Sequence, residues 1–367
     1  MQAIWYRDKR EVTEDEYEAF YENLANTKIP YKYKLHYSTD VPLAIKAIFY
    51  VPGTHQERIQ LMSEESKINL YSRKVLIKES CKELVPPYLR FVKGIVDCED
   101  LPLNISRETY QDSSLIRKLS NVVTRRILKF IEDEMKRDVA DYENWYKNFQ
   151  QFIKEGIMSD QENQEQLLRL VRYQISTSSL DKSVSLDDYV RAMKDGQKKI
   201  YFVSGASEDQ INSNPFMEPF LDSDLPVLIV GNQVDEMIFQ QIGMYKSFHF
   251  VNVESGYDEI SRDIENSKKG QDDLNKPSLP DEDVTNFCLW LKDTTKPYVG
   301  KVSLSKRLKS SPAVLYGQIS ANMRMMMSLM QQQSEDPAEA NRQMEMMSHN
   351  QTLEINPNHQ VMIKLNQ

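Results

Sequence analysis

The spacing of apolar residues along the chain changes period several times, and each change marks an element. Tyr17, Phe20, Tyr21 and Leu24 recur every three or four positions and predict a helix over 14–24. Residues 32–37 and 43–51 alternate with the two-residue period of strands. Leu43, Ile45, Ala47, Phe49 and Val51 share one face, and Pro52-Gly53 ends that strand in a turn. The run 69–78 (Leu70, Tyr71, Val75, Leu76, Ile77) reads as one further strand, and 88–96, behind Pro86-Pro87, as another. The longest helix is predicted over 107–135, where Leu115, Ile116, Leu119, Val122, Val123, Ile127, Phe130 and Ile131 keep helical spacing. Ser106 is its N-cap, with Glu108 in the first turn. A mostly helical stretch over 142–173, interrupted near Gly156, and a short helix over 186–193 follow.

From Lys199 the rhythm changes. Short apolar runs at 200–203, 226–230 and 248–253 are separated by helical segments around 216–221 and 237–244, which implies a small parallel sheet with crossover helices. Gly205 and Gly231 follow two of those strands, but neither belongs to a phosphate-loop pattern, so both read as plain turns. The charged segment 265–283, with two prolines, reads as a linker. A helix over 284–292, a strand around 298–304 and a Met-rich tail complete the chain. No internal repeat is visible.

Composition narrows the function classes. The chain of 367 residues is long enough for two or three packed units. A net charge of -9 argues against a general nucleic-acid binder, and the basic pairs Arg117-Lys118 and Arg125-Arg126 read as a solvated helix face. Cys81, Cys98 and Cys288 lie far apart, without Cys-x-x-Cys spacing, which suits a reducing compartment. His36, His55, His249, His349 and His359 lack metal-ligand spacing. No apolar run approaches the ~20 residues that span a bilayer, and residues 1–7 match neither a signal peptide nor an Arg/Ser-rich transit peptide.

Several blocks together resemble one family. IWYRDKREVTEDEYEAFYENLAN, AIFYVP and YLRFVKGIVDCEDLPLNISRE are similar to the middle domain of the 90-kilodalton heat-shock chaperones. KKIYFVSG, LPVLIVGNQVDEM and SANMRMMMSLM resemble their small middle subdomain and C-terminal domain. HYSTDVPLAIKAIFYVPG and LYSRKVLI resemble the mitochondrial branch more than the cytosolic one. The resemblance implies an α/β (mixed α+β) chain in five parts: a large middle subdomain over 1–155, a helical connector over 156–198, a small α/β subdomain over 199–264, a linker over 265–283 and a partial C-terminal domain over 284–367. It also implies that the nucleotide-binding domain precedes Met1 and that the paired dimerisation helices lie beyond Gln367. ATP with Mg2+ is then held mainly by that preceding domain, and this chain alone hydrolyses nothing. The implied partners are unfolded clients, the N-terminal ATPase domain and a second copy, with neither nucleic acid nor membrane. The implied compartment is the mitochondrial matrix, with the cytoplasm as the alternative.

Within LPLNISRE, Arg107 falls in the first turn of the long helix, where a cation opposes the helix macrodipole at a cost of about 0.3–1 kcal/mol. The bland reading is a surface arginine satisfied by Glu108 or Asp112. The functional reading joins helix-start amides and a guanidinium into one anion site, with Arg107 holding a terminal phosphate by a bidentate fork. Gln111 is four residues on, on the same face. In the resembled family the matching arginine and glutamine reach into the nucleotide domain and promote hydrolysis, which makes Arg107 and Gln111 the expected catalytic pair. Asn104 and Ser106 read as turn and cap residues that aim Arg107. Arg73 either orders the same interdomain contact or forms a strand-edge salt bridge.

Eight of the 17 methionines fall over 323–347, and Met323, Met326, Met327 and Met330 share one helical face. That stripe is either core, packed in the chain or against a second copy, or an adaptable surface for unfolded clients. Trp5 is either a packing anchor or, as the resemblance implies, a client contact. Three functions are therefore set side by side: an ATPase-coupled chaperone segment, a nucleotide-independent client or co-chaperone scaffold, and a stand-alone α/β enzyme built on the sheet over 200–253. No catalytic constellation or phosphate loop supports the third.

Overall fold

The computed structural model describes residues 2–55, 57, 66–101, 113–177, 183–204, 214–223, 225–256, 260, 281–295, 299–305, 308–316 and 351–366. They belong to two compact units, Met1–Arg172 and Tyr173–Gln367, and both mix helices with sheet.

In the first unit a five-stranded sheet has the order β1-β2-β5-β3-β4, built from β1 (Tyr31–Thr39), β2 (Ile45–Pro52), β3 (Lys67–Ser72), β4 (Val75–Lys78) and β5 (Lys93–Cys98). Only β3 and β5 run parallel. Helix α1 (Glu14–Ala25) starts on a capping box between Thr13 and Glu16 and ends at Asn26, whose φ of 51° turns the chain away. Its Tyr17, Tyr21 and Ala25 pack on Ile48, Tyr50 and Ile95 across one sheet face. Three more helices follow β5: α2 (Ser113–Arg137), α3 (Val139–Ser159) and α4 (Gln164–Leu170). From α3, Trp145 stacks on Phe149 at 4.6 Å, meets Tyr33 and Phe91 edge-on and donates its indole N–H to the Pro52 carbonyl at 3.1 Å. A register shift between Tyr31 and Tyr33 breaks the strand alternation. Tyr31 therefore meets Tyr21 and Tyr50 on the α1 side, while Tyr33 meets Trp145 of α3.

Four local expectations change here. The run 69–78 is a hairpin, because Arg73 and Lys74 both adopt left-handed φ values of 48° and 68° and fold β4 back on β3. The first part of 88–96 belongs to a short 3-10 turn, Pro87–Leu89, before β5. Gly156 does not interrupt α3: a Cβ there would come within 2.9 Å of the Tyr88 ring and 3.0 Å of Leu167, so glycine serves close packing inside a continuous helix. The helix predicted over 107–135 is described from Ser113 and runs on to Arg137; its first six positions lie outside the described residues.

In the second unit the expected small parallel sheet is the centre of a larger mixed one, in the order β10-β11-β8-β9-β6-β7. Its strands are β6 (Tyr173–Ile175), β7 (Ser183–Val184), β8 (Lys199–Ser204), β9 (Val227–Val230), β10 (Met244–Tyr245) and β11 (Phe248–Asn252). β11, β8 and β9 run parallel, and the remaining strands join antiparallel. Helices α5 (Leu186–Ala192), α6 (Glu218–Ser223) and α7 (Gln233–Ile242) lie between these strands in sequence. Then come α8 (Asp281–Thr294) and a three-stranded sheet in the order β12-β14-β13, from β12 (Lys301–Leu304), β13 (Ala313–Tyr316) and β14 (Thr352–Ile355), closed by α9 (Gln360–Leu365). Phe287 and Leu291 of α8 share a core with Ile355 and Met362. The linker read over 265–283 lies outside the described residues as far as 280, after which α8 begins.

Candidate functional site

Arg107, Gln111 and Asn104 lie outside the described residues, as do Met323, Met326, Met327 and Met330. Trp5 and Arg73 are described, and the fold brings them to the same place: the end of β5, immediately before the segment 102–112.

Asp97 organises this place. It sits near the end of a strand whose six residues are all buried, and it is fully buried itself. Its Oδ2 accepts the indole N–H of Trp5 at 3.0 Å and the backbone N–H of Lys74 at 2.9 Å. Its Oδ1 has no hydrogen-bond partner among the described residues. A buried carboxylate is costly unless donors surround it, and here they come from two segments far apart in sequence. The Trp5 ring also rests on Tyr71 and Phe20, at centroid distances of 5.1 and 6.1 Å.

Tyr6 continues the contact. Its hydroxyl donates to Glu99 at 3.3 Å, and the ammonium groups of Lys46 and Lys74 lie 3.9 and 4.4 Å from its ring centroid. Lys46 pairs with Glu99 at 3.6 Å. Burial, followed by the negative charges of Asp97 and Glu99, pushes the Tyr6 phenol above its ordinary range, so it stays a protonated donor.

The last described residues before 102–112 are held from both sides. Ser72, fully buried at the end of β3, donates its hydroxyl to the Leu101 carbonyl at 2.9 Å. Arg73, in the β3–β4 turn, donates Nε–H to the Glu99 carbonyl at 3.3 Å. Ala44 and the 99–100 turn exchange two more bonds, Glu99 N–H to Ala44 O at 3.0 Å and Ala44 N–H to Asp100 Oδ2 at 2.8 Å. Among the described residues Arg73 is thus seen bonded to a main-chain carbonyl, which leaves both readings for it open. Sequence reasoning missed Asp97, Glu99, Ser72, Lys46 and Lys74; the available signal was Asp97 itself, an acidic residue inside the apolar strand Gly94-Ile95-Val96.

The Met-rich segment has a defined point of attachment. Tyr316 and Thr352 are register partners across β13 and β14, so the chain leaves and re-enters the three-stranded sheet at one end. The cysteines add no chemistry here: burial and Glu83 push the Cys81 thiol up to about 12, and burial raises those of Cys98 and Cys288. Among the described residues no group of histidine, cysteine and carboxylate side chains is disposed to hold a metal, and no helix is long and apolar enough to cross a membrane.

A family model described as Hsp90 protein matches residues 1–367. The chain is similar to the chaperone protein HtpG of Desulfitobacterium hafniense (strain Y51), 36% identical over 368 residues that cover 100% of this chain and 57% of that one. It is 34% identical over 370 residues to the TNF receptor-associated protein 1 homolog, mitochondrial, of Dictyostelium discoideum, covering 100% of this chain and 50% of the relative. It is 32% identical over 373 residues to the heat shock protein 75 kDa, mitochondrial, of Bos taurus, covering 100% and 52%. The chain thus spans about half the length of the curated relatives it matches.

Proposed function

The chain belongs to the Hsp90 protein family, and from that premise we propose that it is the middle and part of the C-terminal region of an ATP-dependent chaperone. In this reading residues 1–155 form the large middle subdomain, 156–198 the connector, 199–264 the small α/β subdomain, 265–283 the linker and 284–367 the C-terminal part. ATP and its Mg2+ are held mainly by a nucleotide-binding domain elsewhere in the full-length protein. Arg107 reaches the terminal phosphate, Gln111 acts with it as the second member of the catalytic pair, and Asn104 and Arg73 set the direction of approach.

The observation that carries this reading is the fixed base of the segment 102–112. Ser72 holds Leu101, Arg73 holds Glu99, and Asp97 ties the Arg73-Lys74 turn to Trp5. A residue that must meet a phosphate carried by another domain gains from such a base, because less conformational freedom is lost at the encounter. Unfolded clients are bound by Trp5 and by the Met323, Met326, Met327 and Met330 stripe, and the full-length protein works as a pair of copies. Two of the three relatives named above carry "mitochondrial" in their names, which supports the mitochondrial matrix, with the cytoplasm as the alternative.

A second reading, a client or co-chaperone scaffold that works without nucleotide, draws on the pairing of Tyr316 with Thr352, which tethers the Met-rich segment independently of any phosphate. The two separate in one assay. On the first reading the purified chain turns over no ATP and accelerates hydrolysis when the nucleotide-binding domain is added. Turnover by the chain alone, or no acceleration on mixing, would overturn it.

A further inference from the structure

Glu218, the first residue of α6, is wrapped by three consecutive residues of the loop between β12 and β13. Its Oε1 accepts the Ser311 N–H at 2.9 Å, the Ser310 hydroxyl at 2.9 Å and the Ser311 hydroxyl. Its Oε2 accepts the Lys309 N–H at 2.6 Å and the Ser310 N–H at 3.2 Å. Successive amides turned towards one anion form a nest, and bonds to an ionised acceptor are the strong class.

The other side of the same loop is fixed as well. Asn356, just after β14, donates its side-chain amide to the carbonyls of Lys309 at 3.1 Å and Ser311 at 3.3 Å, and its N–H to that of Pro312 at 2.8 Å. Ser305 donates to Glu354 at 3.0 Å and accepts the Leu308 N–H at 3.1 Å. The amides therefore face Glu218 while the carbonyls face Asn356. Leu308 and Val314, on either flank, enter the core formed by Tyr201, Phe216, Phe220 and Val251. Within the second unit this loop is both an apolar peg and a polar catch between the six-stranded and three-stranded sheets.

We propose that Glu218 is an ionic latch: seated in the Lys309–Ser311 cradle, its carboxylate fixes the direction of the three-stranded sheet, and removing the charge frees that sheet to swing about the Leu308–Val314 peg. Apolar burial is non-directional and sets no angle. The hydrogen bonds to Glu218 are directional and do. Burial of Glu218 opposes ionisation, but the donors from Lys309, Ser311 and Ser310 outweigh it and hold its carboxyl below the ordinary value, so the latch is closed at neutral pH. No residue of the latch belongs to the segments proposed to meet ATP or clients, so the inference stands apart from that reading.

The test uses the full 367-residue chain with nitroxide labels at two exposed positions, Lys198→Cys before β8 and Lys364→Cys on α9, in a Cys288→Ser background. A single narrow distance distribution is expected in the parent, at least about twofold broader in Glu218→Ala. Acetate at about 100 mM, a free carboxylate able to enter the emptied cradle, narrows it again, and chloride at equal ionic strength does not. Ser310→Ala with Ser311→Ala removes two donors while leaving backbone and core in place, and it broadens the distribution as well. A parent-like distribution in Glu218→Ala, or broadening that acetate leaves unchanged, overturns the proposal. Should Glu218→Ala fail to fold, a parent-like width in the double serine variant overturns it.

Discussion

Trp5 donates its indole N–H to the fully buried carboxylate of Asp97 at 3.0 Å, across 92 residues of sequence. The same oxygen takes the Lys74 amide, so a single atom joins the start of the chain to the β3–β4 turn beside Leu101. Bonds of this kind are modest when made and expensive to break one-sidedly, because the remaining partner stays buried.

Asp97→Ala is therefore expected to destabilise the chain by about 2–3 kcal/mol in denaturant unfolding, since it strands two donors. Trp5→Phe keeps the ring contacts and costs about 1 kcal/mol. Combined with Asp97→Asn in a double-mutant cycle, it should show a coupling of about 1 kcal/mol. Strict additivity would mean that the bond is not formed in solution.

The turn at Arg73 and Lys74 holds two non-glycine residues at positive φ. Gly at the second position suits that geometry, so Lys74→Gly, which keeps the N–H bonded to Asp97 and the Arg73 side chain, should relieve about 1 kcal/mol of backbone strain in thermal unfolding, less what is lost with the Lys74–Tyr6 contact. Lys74→Pro cannot adopt the angle and removes the N–H bonded to Asp97, so it should unfold the hairpin.

Gly156→Ala tests packing against propensity. Alanine favours the helix by about 1 kcal/mol, but its Cβ would meet the Tyr88 ring at 2.9 Å. Net destabilisation of about 1–2 kcal/mol is expected; a stabilised variant would show that Tyr88 moves aside freely.

Glu236 gives a pH signature. It is buried, its carboxyl is raised by that burial, the Ser204 hydroxyl works the other way, and the charge of Glu254 adds to the rise. An acid whose folded value lies above its unfolded one binds more protons when folded. Its contribution is fully present at low pH and is lost as pH climbs from the ordinary carboxylate value through the raised one. Glu236→Gln should flatten stability over that window and leave the variant more stable than the parent at pH 7, measured by denaturant midpoints across pH. A variant less stable at pH 7 would contradict the assignment.

Much of the fold was legible where local signals agreed. The Tyr17, Phe20, Tyr21, Leu24 spacing gave α1 almost to its ends, although the capping box of Thr13 and Glu16 went unread. The three apolar runs after Lys199 gave the parallel centre of the second sheet. Reading failed where tertiary packing decided. Gly156 carries a helix-breaking signal that close contact with Tyr88 overrides, and the β3–β4 turn hides behind two basic residues with no glycine to announce φ > 0. β13 and β14 are four residues each, too short for a period, and they find each other across 35 intervening positions. The candidate site was half legible: Trp5 and Arg73 stood out by type, but Asp97, which joins Trp5 to the Lys74 amide next to Arg73, is one acidic letter in an apolar strand.

The proposed role of Arg107 is to meet a phosphate brought by another domain, from a segment whose base after β5 is held by Ser72 and Arg73. Steady-state ATP hydrolysis by the full-length protein carrying Arg107→Ala measures this most directly. The rate should fall at least about a hundredfold, with ATP still bound. Hydrolysis at the parent rate would contradict it.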